Sequence, residues 1–301
     1  MAIPRQILEL ARKRAESRRI RRAVATDTPP PRAIENRYRA ELVAFVRELE
    51  RQISERLIAK LPALVAERDQ IADQRTDAWD QQVDQIIQSL TAFGTVQAER
   101  LAASLEARAT SISNWNKESF AKAMRQVIGV DVFAPSASQS EALRVELGSW
   151  ARENARLIKS IPQDMLMQVE GIAQRGLRSG RSQRDIAADI RSRFEVTESR
   201  AKLIARDQVA KLNGDLTRSR QQAIGIDMYV WRDSDDSRVR EDHSVMDGKL
   251  CRWDDPTVYS DDGGESWRSR GGIGGVQLHP GEDYQCRCGA QAYLQPLLDA
   301  L

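Results

Sequence analysis

The chain has 301 residues and a mass of 33.9 kDa, enough for two compact units or for one unit with a long extension. Its net charge of +2 hides a split: residues 227–301 carry 15 acids against 8 bases, a net of −7, which leaves +9 on the 226 residues before them. No apolar run nears the ~18–20 residues of a membrane span, and the first residues offer no apolar leader, so neither a span nor a secretory signal is expected. All three cysteines fall in the last 51 residues; they cannot build an even disulfide framework, which predicts a reducing compartment and a local use for the thiols.

Residues 1–33 read as a basic N-terminal arm and a Pro-rich linker. Within residues 1–22, Arg5, Arg12, Lys13, Arg14, Arg18, Arg19, Arg21 and Arg22 face only two acids, Glu9 and Glu16, and are the candidate residues for binding nucleic acid or a protein partner. Pro29, Pro30 and Pro31 end any helix and predict a stiff spacer that separates the arm mechanically.

Residues 34–128 contain a single Gly, Gly94, and read as a long helical region. Leu42, Phe45, Val46, Leu49, Ile53, Leu57, Leu61 and Leu64 recur at helical steps, with an interruption expected at Pro62. Trp79, Val83, Ile86, Ile87 and Leu90 mark a second helix; a third is expected to start near Asn114 or Asn116 and to end at Gly129. These helices are thinly apolar for their length. They suit either a plain helical bundle or an elongated extension that completes its core on a partner.

Residues 129–226 open with a connector over 130–138. Helices are predicted over 141–159, 163–174, 182–194 and 197–223, with Ser182 and Asp185 as a capping box and Gly225 as the stop. Residues 227–301 hold nine of the 17 glycines and read as a small α+β domain that begins with a strand at 227–232. A mobile surface loop is expected over about 260–276. The predicted fold class is mainly α with a small α+β C-terminal domain and an elongated helical N-terminal extension.

The chemistry concentrates at the end of the chain. Both histidines, His243 and His279, lie there with Cys251, Cys286 and Cys288. Thiolates with imidazole suit a tetrahedral structural Zn²⁺, and a Gly-rich unit with little core gains from such a staple. The C-x-C spacing departs from the usual C-x₂₋₄-C, so small buried cysteines and hydrogen-bonding histidines are the alternative reading. Asp233, Asp236, Asp242 and Asp247 fail the EF-hand spacing, and residues 271–275 lack the ending of a phosphate loop. His243, His279 and Arg238 could serve a nuclease as acid, base and phosphate anchor.

Residues 157–162 and 201–208, then Trp231, Arg238, Arg240, His243, Asp247, Gly248 and Trp253, and finally His279, Pro280, Cys286, Arg287 and Cys288 occur in an order that resembles the phage Mu F-like family. The resemblance covers about residues 130–295; Cys251 is not part of it. It implies a minor capsid protein of phage head morphogenesis, made in the bacterial host cytoplasm and carried in the virion inside the capsid at the portal vertex. It implies no enzymatic activity, and roles in procapsid assembly and in DNA packaging or ejection. The implied partners are the portal protein, packaged phage DNA and a major capsid or scaffolding protein, with no membrane.

Overall fold

The computed structural model describes residues 9, 13, 24–70, 78–128 and 141–299. Helices dominate, followed by short antiparallel strands, so the mainly α class with a small α+β C-terminal part holds. The candidate arm residues Arg5, Arg12, Arg14, Arg18, Arg19, Arg21 and Arg22 lie outside the described residues; Lys13 is exposed.

Among the described residues, six helices precede the strands. Helix α1 spans Arg32–Arg56 and starts where Pro31 offers its carbonyl to the Glu35 amide at 3.0 Å. The prolines thus precede the first turn, where a missing N–H costs nothing. A 3-10 turn over Ile58–Lys60 leads into α2, Leu61–Gln70, which places Pro62 in a first turn rather than mid-helix. Helix α3 spans Ala78–Ala102 and α4 spans Leu105–Ile128. The third helix therefore starts some nine residues before the predicted Asn114: Asn116 is no cap but a fully buried side chain, bonded through Nδ2 to Asn213 Oδ1 at 3.0 Å and Thr217 Oγ1 at 2.8 Å.

Two predicted breaks are absent. Helix α5 runs unbroken over Glu141–Arg178 with Pro162 inside it, and α6 runs over Gln183–Ala223. Ser182 caps α6 as predicted, its hydroxyl accepting from the Asp185 amide at 3.2 Å and donating to the Asp185 carboxylate at 2.7 Å. Gly225, at φ 83°, follows the last turn.

The chain divides into two compact units that interleave in sequence. One comprises residues 36–108 and 146–206. In it Leu49 and Ile53 of α1, Val83, Ile87 and Leu90 of α3, Met165, Val169 and Ala173 of α5 and Ile186 and Ile190 of α6 form one core. Each such side chain contributes about 1.5–3 kcal/mol on burial. The expectation that the 34–128 helices complete their core on a partner is thus corrected toward the bundle reading: the missing apolar face is supplied by this chain, one hundred residues later.

The other unit comprises residues up to 35, 109–145 and 207–301. Its three-stranded antiparallel sheet has the order β2–β1–β5, where β1 is Met228–Arg232, β2 Leu250–Arg252 and β5 Gly289–Ala292. Val230 pairs with Leu250 on one side and Gln291 on the other. Strands β3, Val258–Tyr259, and β4, Arg268–Ser269, make a separate ribbon. Short helices α7, Glu241–Ser244, and α8, Gln295–Asp299, complete it.

Two expectations fail in this unit. The Pro-rich linker is not a free spacer: Val24 bridges Tyr293, the Ala25 amide donates to the Ala292 carbonyl at 2.9 Å, and the Asn213 amide donates to the Thr28 carbonyl at 2.8 Å. Nor is 260–276 a mobile loop. It contains β4 and a 3-10 turn over Arg270–Ile273, and the Arg270 side chain is fully buried.

Pro162 of α5 packs closely against Gly94 of α3. A Cβ at position 94 would stand 2.7 Å from the Pro162 Cβ. Gly94→Ala, which normally stabilises a helix by up to about 1 kcal/mol, is therefore expected to destabilise the protein by about 1–3 kcal/mol through overpacking, read as a lower urea midpoint at unchanged slope.

Candidate functional site

The C-terminal unit gathers its polar chemistry around β1. His243 is carried by α7 and only 3% exposed. Its Nδ1 stands 3.3 Å from Cys288 Sγ and 3.6 Å from Cys286 Sγ. Its Nε2 stands 3.0 Å from Asp283 Oδ2. Arg240 reaches the same carboxylate at 2.5 Å and also bonds the Tyr284 carbonyl at 2.9 Å. Asp283 and Arg240 thus clamp the outer ring nitrogen while the inner one faces two sulfurs.

The local backbone explains how the C-x-C pair arrives there. Gln285 adopts φ 57°, a left-handed conformation unusual for a residue with a side chain. Its amide donates to Asp207 Oδ1 of α6 at 2.8 Å. The Gly281 amide donates to Cys286 Sγ at 3.3 Å, and Arg287 donates to Asp236 Oδ1 at 2.6 Å. The turn is therefore pinned on both sides of Cys286.

The charges follow from these contacts. The neighbouring Cys288 thiol, then His243 and the Gly281 amide, hold Cys286 down to about 5 against the opposing effect of burial. Cys288 moves the other way, raised by its bond to the Cys286 sulfur and by burial. Burial works against the His243 imidazolium, but the Cys286 thiolate and Asp283 outweigh it and raise the pKa. Burial likewise opposes ionisation of Asp283, and His243, the Tyr284 amide and Arg240 overcome it to lower the pKa.

His279 and Cys251 do not join this cluster. His279 Nδ1 pairs with the Tyr229 hydroxyl at 2.9 Å, and its ring stacks obliquely on Trp253 at 5.0 Å. Cys251, fully buried in β2, is pushed up to about 11 by burial and behaves as a small apolar residue. Both sit near Arg270, whose Nη2 donates to the Tyr229 hydroxyl at 3.1 Å. Arg270 also donates to the carbonyls of Val258 at 2.9 Å and Leu278 at 2.8 Å, and lies over the Trp231 ring at 5.5 Å.

The remaining signature residues are structural. Trp231 and Trp253 are core residues, and the Trp253 indole donates to Gln221 Oε1 at 2.9 Å. Asp247 pairs with Arg232 at 3.0 Å, and Gly248 supplies a positive φ of 74° in the turn before β2. Pro280 packs where a Cβ on Gly214 of α6 would stand 2.8 Å from its carbonyl oxygen. Arg238 is exposed and approaches only Asp236 at 3.8 Å. The three residues of the nuclease alternative each have their own partners: His243 has Asp283 and the two cysteines, His279 has Tyr229, and Arg238 has Asp236.

Chemically, a buried His–Cys–Cys cluster backed by a carboxylate can hold a soft divalent ion or sustain a thiolate. The second grouping of Asp242, His243 and Asp283 already has the Arg240 cation on its carboxylate. Sequence reading missed Asp283, Asp207 and Arg270 as positioning residues. Asp283 and Asp207 lie inside the stretches that carry the family resemblance, but nothing in their spacing announces a role.

Residues 167–291, running from the middle of α5 into β5, match the sequence profile of the family described as Phage Mu protein F like protein. This region is Phage Mu F-like. The Mu F-like region falls within the 130–295 stretch that the motifs delimit and contains both histidines and all three cysteines. Over 194 residues the chain is 31% identical to an uncharacterized protein of Haemophilus influenzae strain Rd, covering 64% of this chain and 39% of that protein. The chain thus spans well under half the length of that relative. No solved structure matches the chain.

Two outcomes are expected at Arg270 and at His279, which share the Tyr229 hydroxyl. Arg270→Met removes the donor that several buried carbonyls and the Tyr229 hydroxyl share, at a cost of about 1–3 kcal/mol for each group left unpaired; unfolding followed by tryptophan fluorescence is expected to show a loss of at least about 3 kcal/mol. The second concerns His279, whose pKa burial lowers from 6.5 to about 4, helped by Arg218 and Arg270 and opposed by Glu282. A depressed histidine means that the unfolded chain takes the proton first, so stability is full above about pH 6.5 and falls as the pH drops toward 4. His279→Gln is expected to flatten that acid limb in denaturant titrations.

Proposed function

We propose that this chain is a minor capsid protein of tailed-phage head morphogenesis, bound to the portal vertex inside the head and acting in procapsid assembly and in the handling or delivery of packaged DNA. The observation that carries the reading is the Mu F-like match over residues 167–291. In this reading the role is structural rather than enzymatic, and the pinned, buried His–Cys cluster maintains a fold instead of meeting a substrate.

A further feature supports it. The eight basic residues of the arm suit phosphate neutralisation on packaged DNA, or acidic surfaces of a portal protein. Among the described residues no helix is long and apolar enough to cross a membrane.

The test is mass spectrometry of purified particles from a phage encoding this chain with an affinity tag. The protein is expected in wild-type heads at far lower abundance than the shell subunit, and absent from heads assembled without the portal. Removing residues 1–22 is expected to lower its incorporation severalfold. Complete absence from wild-type particles overturns the reading.

A further inference from the structure

We infer that His243, Cys286 and Cys288 form a binding site for one zinc ion, with Asp283 as the carboxylate that orients the histidine. The donor spacing fits such an ion. With Zn–S near 2.3 Å and Zn–N near 2.0 Å, a tetrahedral ion sets N···S edges of roughly 3.5 Å. The observed separations from His243 Nδ1 are 3.3 Å to Cys288 and 3.6 Å to Cys286, and all three donor atoms lie within 4.8 Å of one another. The donors already stand almost where such an ion would hold them.

Ligand chemistry narrows the choice. Two sulfurs and an imidazole nitrogen are soft donors that suit zinc and disfavour the hard cations magnesium and calcium. The ring is also turned the right way. Asp283 Oδ2, at 3.0 Å, is placed to accept a hydrogen bond from Nε2–H, which directs Nδ1 at the sulfurs. Arg240 neutralises the same carboxylate and fixes it to the Tyr284 carbonyl, so the orienting group is itself held.

A separate observation lies beside Cys288. The fully buried Trp231 indole N–H meets no hydrogen-bond acceptor of good geometry, and Cys288 packs against the core cluster that contains it. A buried donor without an acceptor is costly, and a metal-bound thiolate is a stronger acceptor than a thiol. Three protein ligands leave the fourth tetrahedral position to water. The ion would tie α7 to the turn before β5, cross-linking a Gly-rich segment whose apolar core is small. His279 and Cys251 take no part, being committed to Tyr229 and to the core.

The test uses the full-length protein purified without chelator. Elemental analysis is expected to give one zinc per chain, and cobalt exchanged into the site is expected to show thiolate-to-metal charge transfer from two sulfurs. Cys286→Ser, Cys288→Ser and His243→Gln are expected to abolish stoichiometric zinc, Asp283→Asn to weaken it about 10–100-fold, and Cys251→Ser to leave it unchanged. Should the ligand variants fail to fold, thiol labelling of the wild type decides: Cys286 and Cys288 are expected to react only after a chelator is added. Substoichiometric metal in the wild type, cobalt without charge transfer, loss of zinc from a folded Cys251→Ser, or labelling indifferent to chelator each overturns the inference.

Discussion

The C-terminal unit is organised by one buried guanidinium. Arg270 lies in a glycine-rich segment with no carboxylate pairing it among the described residues, and burying such a cation is expensive unless every donor is met. The cost is offset by neutral oxygens drawn from several places at once: Val258 from β3, Val276 and Leu278 from the following loop, and the Tyr229 hydroxyl from β1. Folding must bring these oxygens together before Arg270 can leave water. That requirement orders a glycine-rich stretch with little apolar content. It also fixes Tyr229, and through Tyr229 the neutral His279.

The two histidines therefore differ by what stands across from them. His279 faces a hydroxyl and aromatic rings under the influence of two arginines, and stays uncharged. His243 faces sulfurs on one edge and a carboxylate on the other, and favours its proton. Tyr229 and Trp231 share one face of β1 but meet different histidines: the Tyr229 ring stands 5.9 Å from that of His279, and the Trp231 ring 5.9 Å from that of His243. Successive positions along one face of the strand thus give the two histidines separate surroundings.

Helical periodicity made the long helices legible, as did Ser182 for a start and Gly225 for a stop. Their lengths were less legible, because the deciding contacts are remote. Pro162 reads as a break until Gly94 is seen opposite it. Asn116 reads as a cap until Asn213 and Thr217 are seen to consume its amide. At the site, the C-x-C pair with His243 was visible as chemistry. The exclusion of His279 and Cys251 was not, since it depends on Arg270, and an arginine among glycines reads as solvent-exposed. Asp283 and Asp207 were hidden because a carboxylate that orients another group has no spacing of its own.

The interleaving of the two units has a consequence for the order of events during synthesis. Val24 pairs with Tyr293, and the helices of residues 36–108 share their core with residues 146–206. Nothing in the first third of the chain can finish folding when it leaves the ribosome. The bundle waits for α6, and the segment around Thr28 waits for nearly the whole polypeptide. Contacts of such sequence separation slow folding and leave early helices with apolar faces uncovered in the interval. The nascent protein is thus most exposed to chaperones and to premature association until residues 146–206 have emerged to cover the early helices.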